Sequence, residues 1–194
     1  TNSGYGISKP DEICTEDTKL NPISIYGKTK VAAEKVTMDR GNAISFRLAT
    51  VFGVTSRMRT DLLVNNFVLE AVKKKYLKIF EGHFMRNYIH VQDVARVMLY
   101  AIENFDKLKN NSYNFGLEDA NLSKIQLANF IKKYVPDLVI EESKHGRDPD
   151  QRNYTVSNKK IIATGFKFEY SLDLGVRELI KAYKMLPEKN FSNL

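Results

Sequence analysis

Hydrophobic and polar positions along this chain alternate between two periods. Residues 43–50 read as a buried strand ending near Val51-Phe52-Gly53. Apolar residues then recur at helical spacing over 62–72, with Asp61 placed to cap the start and Lys73-Lys74-Lys75 at the end, where cations complement the helix dipole. Leu77-Lys78-Ile79-Phe80 alternates as a strand does and runs into a Glu81-Gly82 turn. From Arg86 a further strand carries Arg86 and Tyr88 on one face, and a helix follows from near Gln92-Asp93. Residues 112–116 read as a short buried strand, and 123–134 and 172–185 as helices. Alternating helix and strand predict an α/β domain.

Composition narrows the class without naming a function. The chain has 194 residues, 43% hydrophobic and 27% charged, enough to bury a core. It has no apolar run of membrane-spanning length and no signal-peptide pattern. A single cysteine, Cys14, allows no internal disulfide and suits a reducing, cytoplasmic compartment. The net charge of +7 fits nucleic acid, an anionic surface or an anionic small molecule alike. Most lysines are scattered among acids, not interleaved with aromatics, so nucleic acid and membrane are not the expected partners. His83, His90 and His145 follow no metal-ligand spacing, and His90 reads as a packed histidine rather than a base.

Candidate chemistry starts at Tyr26 and Lys30, four residues apart, which a helix would bring to one face. An isolated phenol ionises near pH 10, and an adjacent ammonium favours the phenolate, so such a pair can work as an acid/base couple. The spacing alone is common by chance. Its flanks add weight: residues 22–25 form an extended, proline-marked lead-in, and 30–36 continue with helix formers.

With Thr1, Tyr5 and Gly6 upstream, the chain resembles the extended short-chain dehydrogenase/reductase family, in its nucleotide-sugar epimerase and dehydratase branch. There a Ser/Thr-x-x-x-Tyr-Gly motif precedes a Tyr-x-x-x-Lys helix. The resemblance implies that Tyr26 is the acid/base, that Lys30 holds the nicotinamide ribose and promotes ionisation of Tyr26, and that Thr1 bonds the reacting sugar oxygen. It implies NAD as cofactor, with NADP left open; Thr50 and Val51, at the carboxyl end of the strand, are expected near cofactor or substrate because ligand crevices of open parallel sheets lie there. It also implies a nucleoside-diphosphate sugar as ligand. Asn65 or Asn66 would meet the substrate, Lys78 and Phe80 would lie by the base, and Arg86 would grip the diphosphate through an Arg-x-Tyr-Ile-His-Val-x-Asp-Val-Ala block. Arg147 and Asp150 resemble a second substrate motif, followed by a closing helix and turn over 157–167.

The implied fold is part of a Rossmann-like, doubly wound parallel sheet with a smaller α/β substrate-binding domain. Residues 1–55 and 91–118 fall to the dinucleotide-binding part, 56–90 to a substrate-binding segment and 119–194 to a C-terminal substrate-binding domain. No glycine-rich phosphate cradle follows a strand, so the expectation is the C-terminal portion of a longer protein, a homodimer at full length. Asn2-Ser3 replaces the acidic pair of dehydratases, leaving 4-epimerisation or ketoreduction ahead of dehydration. A non-catalytic binding module is the remaining alternative.

Overall fold

The computed structural model describes residues 1–9, 11–143 and 151–186. In chain order its elements are β1 (Ile13–Cys14), α1 (Ile25–Arg40), β2 (Ile44–Leu48), β3 (Thr50–Phe52), α2 (Leu63–Lys74) and β4 (Tyr76–Phe80). There follow β5 (Met85–His90), α3 (Val91–Glu103), α4 (Phe105–Leu108), β6 (Asn111–Phe115), β7 (Asn121–Ser123) and α5 (Lys124–Lys132). The chain ends with β8 (Val139–Ser143), β9 (Thr155–Val156), α6 (Lys159–Ala163) and α7 (Leu172–Met185).

The pairing is that of an α/β protein. β2 runs parallel to β6, β3 to β5, β4 to β8 and β1 to β9, and among the described strands only β7 lies antiparallel, against β5. Parallel neighbours require helical crossovers, which the alternation in the sequence supplies. The single strand read over 43–50 is two, because the ladder changes partner at Ala49 from β6 to β5. Gly116, just after β6, permits this switch. A side chain there would meet Asn87 Oδ1 at 1.6 Å, while Asn87 Nδ2 donates to the Leu117 carbonyl at 2.7 Å.

One apolar core joins the sheet to α2, α3, α5 and α7 through residues such as Phe52, Val68, Ile89, Val97, Phe115, Leu127 and Leu179. A smaller cluster of Tyr5, Cys14, Tyr154 and Val156, with Leu20 against it, ties the opening turn to β1 and β9.

Helix starts differ from the sequence reading in two places. Asp61 does not cap α2; Leu62 takes that position with no side-chain hydrogen bond, and Asp61 Oδ2 instead lies 2.6 Å from Arg59 Nη2. α3 begins one residue early, capped by His90, whose Nδ1 accepts the Gln92 N–H at 3.2 Å. Asp93, fully buried, accepts the backbone N–H groups of Glu169 and Tyr170 and pairs with Arg96 at 2.6 Å, pinning the approach to α7. α5 carries a complete capping box between Ser123 and Gln126. Among the described residues, no helix is long and apolar enough to cross a membrane.

Candidate active site

Four parts of the chain meet around a cavity of about 920 Å³: the turn at Thr1 and Ser3, the start of α1, the β2–β3 switch with the loop after it, and Arg152 and Tyr154 just before β9. Ser24, extended at φ −95°, caps α1 by accepting the Gly27 N–H at 3.0 Å. Gly27 is the buried residue of this helix, and a Cβ there would sit 3.0 Å from the Ser3 carbonyl oxygen. Its small size seats α1 directly on the Thr1 turn. Tyr26 and Lys30 then project from the helix into the cavity, with Lys30 Nζ 5.8 Å from the centre of the Tyr26 ring. Tyr26 is 54% exposed, so its hydroxyl is open to a ligand.

Thr1 caps the opening 3₁₀ turn by accepting the Ser3 N–H at 3.3 Å, and its hydroxyl donates to Ser3 Oγ at 3.2 Å. Thr50 and Val51, on β3, form the cavity floor with Phe46, Leu48 and Ala49. Of the residues expected from sequence, the structure therefore gathers Thr1, Tyr26, Lys30, Thr50 and Val51.

The other expected residues stand elsewhere. Asn65 is buried and its amide is spent on backbone: Oδ1 accepts the Gly53 N–H at 3.1 Å and Nδ2 donates to the Arg59 carbonyl at 3.0 Å. Asn66 is half-buried beside it on α2. Lys78 and Phe80 lie on β4, with the Lys78 ammonium 5.7 Å from the Phe80 ring centre and 3.9 Å from Glu141. Arg86 is buried, its guanidinium donating to the Met85 and Arg152 carbonyls and lying 5.8 Å from the Tyr154 ring centre. It braces a wall of the cavity, since Arg152 and Tyr154 line it. Arg147 and Asp150 lie outside the described residues.

Sequence reasoning missed Arg59 and Arg152. Arg59 follows the carboxyl end of β3, where the rule that ligand crevices open at strand ends would have pointed. Arg152 donates to Ser3 Oγ, linking the chain just before β9 to the Thr1 turn. With Lys30, these residues give the described cavity lining three cations and no carboxylate, Arg59 being paired with Asp61 just outside the lining. Such a site favours an anionic ligand.

Behind the cavity lies a buried polar network. Arg47, 7% exposed, donates through Nη2 and Nε to Glu34 Oε1 at 2.7 and 3.0 Å, and through Nη1 to Tyr5 Oη at 3.0 Å and the Glu16 carbonyl at 2.9 Å. Tyr5 Oη donates to Asn114 Oδ1 at 2.6 Å. Burial opposes ionisation of Glu34, but hydrogen bonds and charge from Arg47, with the Ser45 and Ser112 hydroxyls, hold its carboxyl below the usual range. Burial pushes the Tyr5 phenol up to about 12 despite Arg47, so Tyr5 remains a neutral donor.

His90 is a structural residue, as its sequence context suggested. It is 1% exposed, stacked on Tyr170 at 4.7 Å and 7°, and Nε2 lies 3.2 Å from Glu178 Oε2. Nδ1 accepts from Gln92, so the proton sits on Nε2 and is donated to Glu178. Burial lowers its tendency to take a second proton, against the pull of Glu178 and Asp93.

Residues 1–116 match the sequence profile described as the NAD dependent epimerase/dehydratase family. Among curated proteins, dihydroflavonol 4-reductase of Gerbera hybrida is 29% identical over 87% of this chain and 47% of its own length. UDP-glucose 4-epimerase of Lactobacillus helveticus is 28% identical over 75% of this chain and 51% of its own. The chain thus spans about half the length of these relatives. In fold it is similar to UDP-glucose 4-epimerase of Thermotoga maritima with UDP-glucose, at TM-score 0.79 and 23% identity over 93% of this chain and 60% of that one. It is equally similar to dTDP-glucose 4,6-dehydratase of Bacillus anthracis in complex with NAD, at TM-score 0.79 and 21% identity over 95% and 60%. The Thr1 turn and the Tyr26/Lys30 helix, which the fold seats against each other at the cavity, both fall within the matched residues; the chain belongs to the NAD dependent epimerase/dehydratase family.

Proposed function

We propose that this chain supplies the acid/base and sugar-binding machinery of an NAD-dependent nucleotide-sugar 4-epimerase. The observation that carries the reading is the meeting of Tyr26, Lys30 and Thr1 at one cavity whose described lining also carries Arg152 and the Asp61-paired Arg59 and no carboxylate. The Tyr26 oxygen takes the proton from the sugar 4-hydroxyl and later returns it. Lys30 favours the phenolate during that step, and the Thr1 hydroxyl orients the sugar oxygen. Arg59 and Arg152 attract the diphosphate, with Arg86 holding Arg152 in place through its carbonyl. Because the Asn65 amide is committed to Gly53 and Arg59, contact with the sugar falls to Asn66. Lys78 and Phe80 flank the nucleotide base, and Arg147 and Asp150 complete the grip on the substrate.

The nicotinamide end of NAD fits the donors present. Lys30 suits ribose hydroxyls, Thr50 and Val51 offer a floor, and about 920 Å³ lies within the range of cofactor-sized sites. When bound, NAD would accept hydride from the sugar C4 and give it back, passing through a transient 4-keto sugar. NADP is an alternative. The full protein is expected to be a cytoplasmic homodimer.

Asn2 and Ser3 bring no carboxyl group to the site, which disfavours dehydration. Ketoreduction is the second reading, favoured by the likeness to dihydroflavonol 4-reductase. Calorimetric titration of this chain with UDP-, dTDP- and CDP-sugars tests the anion site, and failure of all to bind would sink it. Product analysis of the full-length protein separates the activities. Epimerised sugar without net cofactor use supports the proposal; stoichiometric NADPH consumption with a 4-keto substrate favours the reductase.

A further inference from the structure

Lys30 and Glu34 are one helical turn apart on α1, a spacing at which Lys and Glu can pair, more weakly in this order than with Glu first. Here they do not. Among the described residues no carboxylate pairs with Lys30, and its ammonium lies by the Tyr26 ring instead. Glu34 faces Arg47 of β2, accepting from Nε and Nη2, and its Oε1 also accepts the Ser112 hydroxyl at 3.2 Å. Arg47 is itself anchored at its far side by Tyr5 and the Glu16 carbonyl, so its planar fork is held aimed at Glu34.

We infer that Arg47 is a positioning residue that keeps the Lys30 ammonium beside Tyr26 by holding Glu34 away from it. Three features carry this. The competing pair is built into the helix by the i and i+4 spacing. The Arg47–Glu34 pair is buried, with side chains 8% and 14% exposed, so it persists where a surface pair would exchange. The network behind Arg47 reaches Asn114 on β6 through Tyr5, so the sheet fixes where the guanidinium sits. Without Arg47, an ionised Glu34 has one nearby cation on its own helix face, and that is Lys30. The inference rests on the proposed function only for its effect on turnover.

Zero-length carbodiimide coupling followed by peptide mass mapping reads the competition directly, since a Lys30–Glu34 contact becomes an amide with loss of one water. In the unaltered chain no Lys30–Glu34 amide forms; in Arg47→Met it appears. If Arg47→Met unfolds, Arg47→Lys, which keeps a cation but loses the fork, gives the same amide at lower yield. A folded variant lacking the amide, or equal coupling in the unaltered chain, overturns the inference. In the full-length, NAD-supplied enzyme Arg47→Met lowers kcat by about 10²-fold with circular dichroism unchanged, a loss of the size expected when a catalytic group is misplaced. Adding Glu34→Gln restores most of it, because no carboxylate is left to capture Lys30. A double variant no better than the single one contradicts the positioning role. Coupling that appears with turnover unchanged supports the inference and counts instead against the part assigned to Lys30 in catalysis.

Discussion

Helices α1 and α7 are of similar length, 16 and 14 residues, yet are held by opposite means. α7 buries Leu172, Gly175, Val176, Leu179, Ile180 and Tyr183 and adds polar ties from Glu178 to His90 and from Asp173 to the Tyr134 hydroxyl. α1 buries only Gly27, leaves Ile25 82% and Val36 70% exposed, and is fixed by its Ser24 cap, by the close seat on the Thr1 turn and by Glu34 on Arg47. A helix anchored by an apolar face has that face filled. One anchored by a few polar points keeps neighbouring positions open, and Tyr26 and Lys30 occupy them.

The largest difference should appear on truncating each helix's anchor. Leu179→Ala, at a fully buried site, should cost about 3 kcal/mol in urea unfolding, from lost transfer energy and the cavity left behind. A cost below about 1 kcal/mol would mean that α7 is not core-anchored. Acid should separate the two polar ties next. His90 resists protonation in the folded chain, so its contribution is complete above about pH 6.5 and declines as pH falls through the lower folded value. Glu34 is held below its usual range, so its contribution is present above about pH 4.3 and is lost only on further acidification. Melting temperatures should therefore drop in two stages, with Glu34→Gln reducing the lower one, to which Asp106, held down by Lys109, also contributes. A lower stage that is the same size in Glu34→Gln would break the assignment.

Smaller effects test the local anchors of α1. Ser24→Ala removes the cap and should cost about 1 kcal/mol. Val36→Ser, on the exposed face, should change stability by less than about 0.5 kcal/mol. If Val36→Ser proved as costly as Ser24→Ala, α1 would owe its position to apolar packing after all.

The same contrast explains what the sequence made legible. α7 was readable over its whole length because its apolar positions repeat at helical spacing, and the helix read from 123 starts at Lys124, behind the Ser123/Gln126 cap that the structure shows. α1 was found through Tyr26 and Lys30 and the proline-marked lead-in, since its apolar residues follow no face. The split at Ala49 was not readable, because a strand's own pattern does not say which neighbour it pairs with; Gly116 and Asn87 decide that from distant positions. Asp61 looked like a helix cap because capping is a local rule, but Arg59 two residues earlier claimed the carboxylate. At the site, motif residues within one helix or turn were legible. Arg152 reaches the cavity by a long-range contact with Ser3, and Arg47 acts through Glu34, neither of which has a local signature.

The central claim is that Tyr26 moves the proton at the reacting sugar. It is tested most directly by turnover of nucleotide sugars by the full-length protein carrying Tyr26→Phe, with unfolding measured in parallel. Losing only a half-exposed hydroxyl, the variant should keep its stability and substrate binding while kcat falls by about 10³-fold, the scale of a lost acid/base group. Turnover unchanged from that of the unaltered protein would contradict the account.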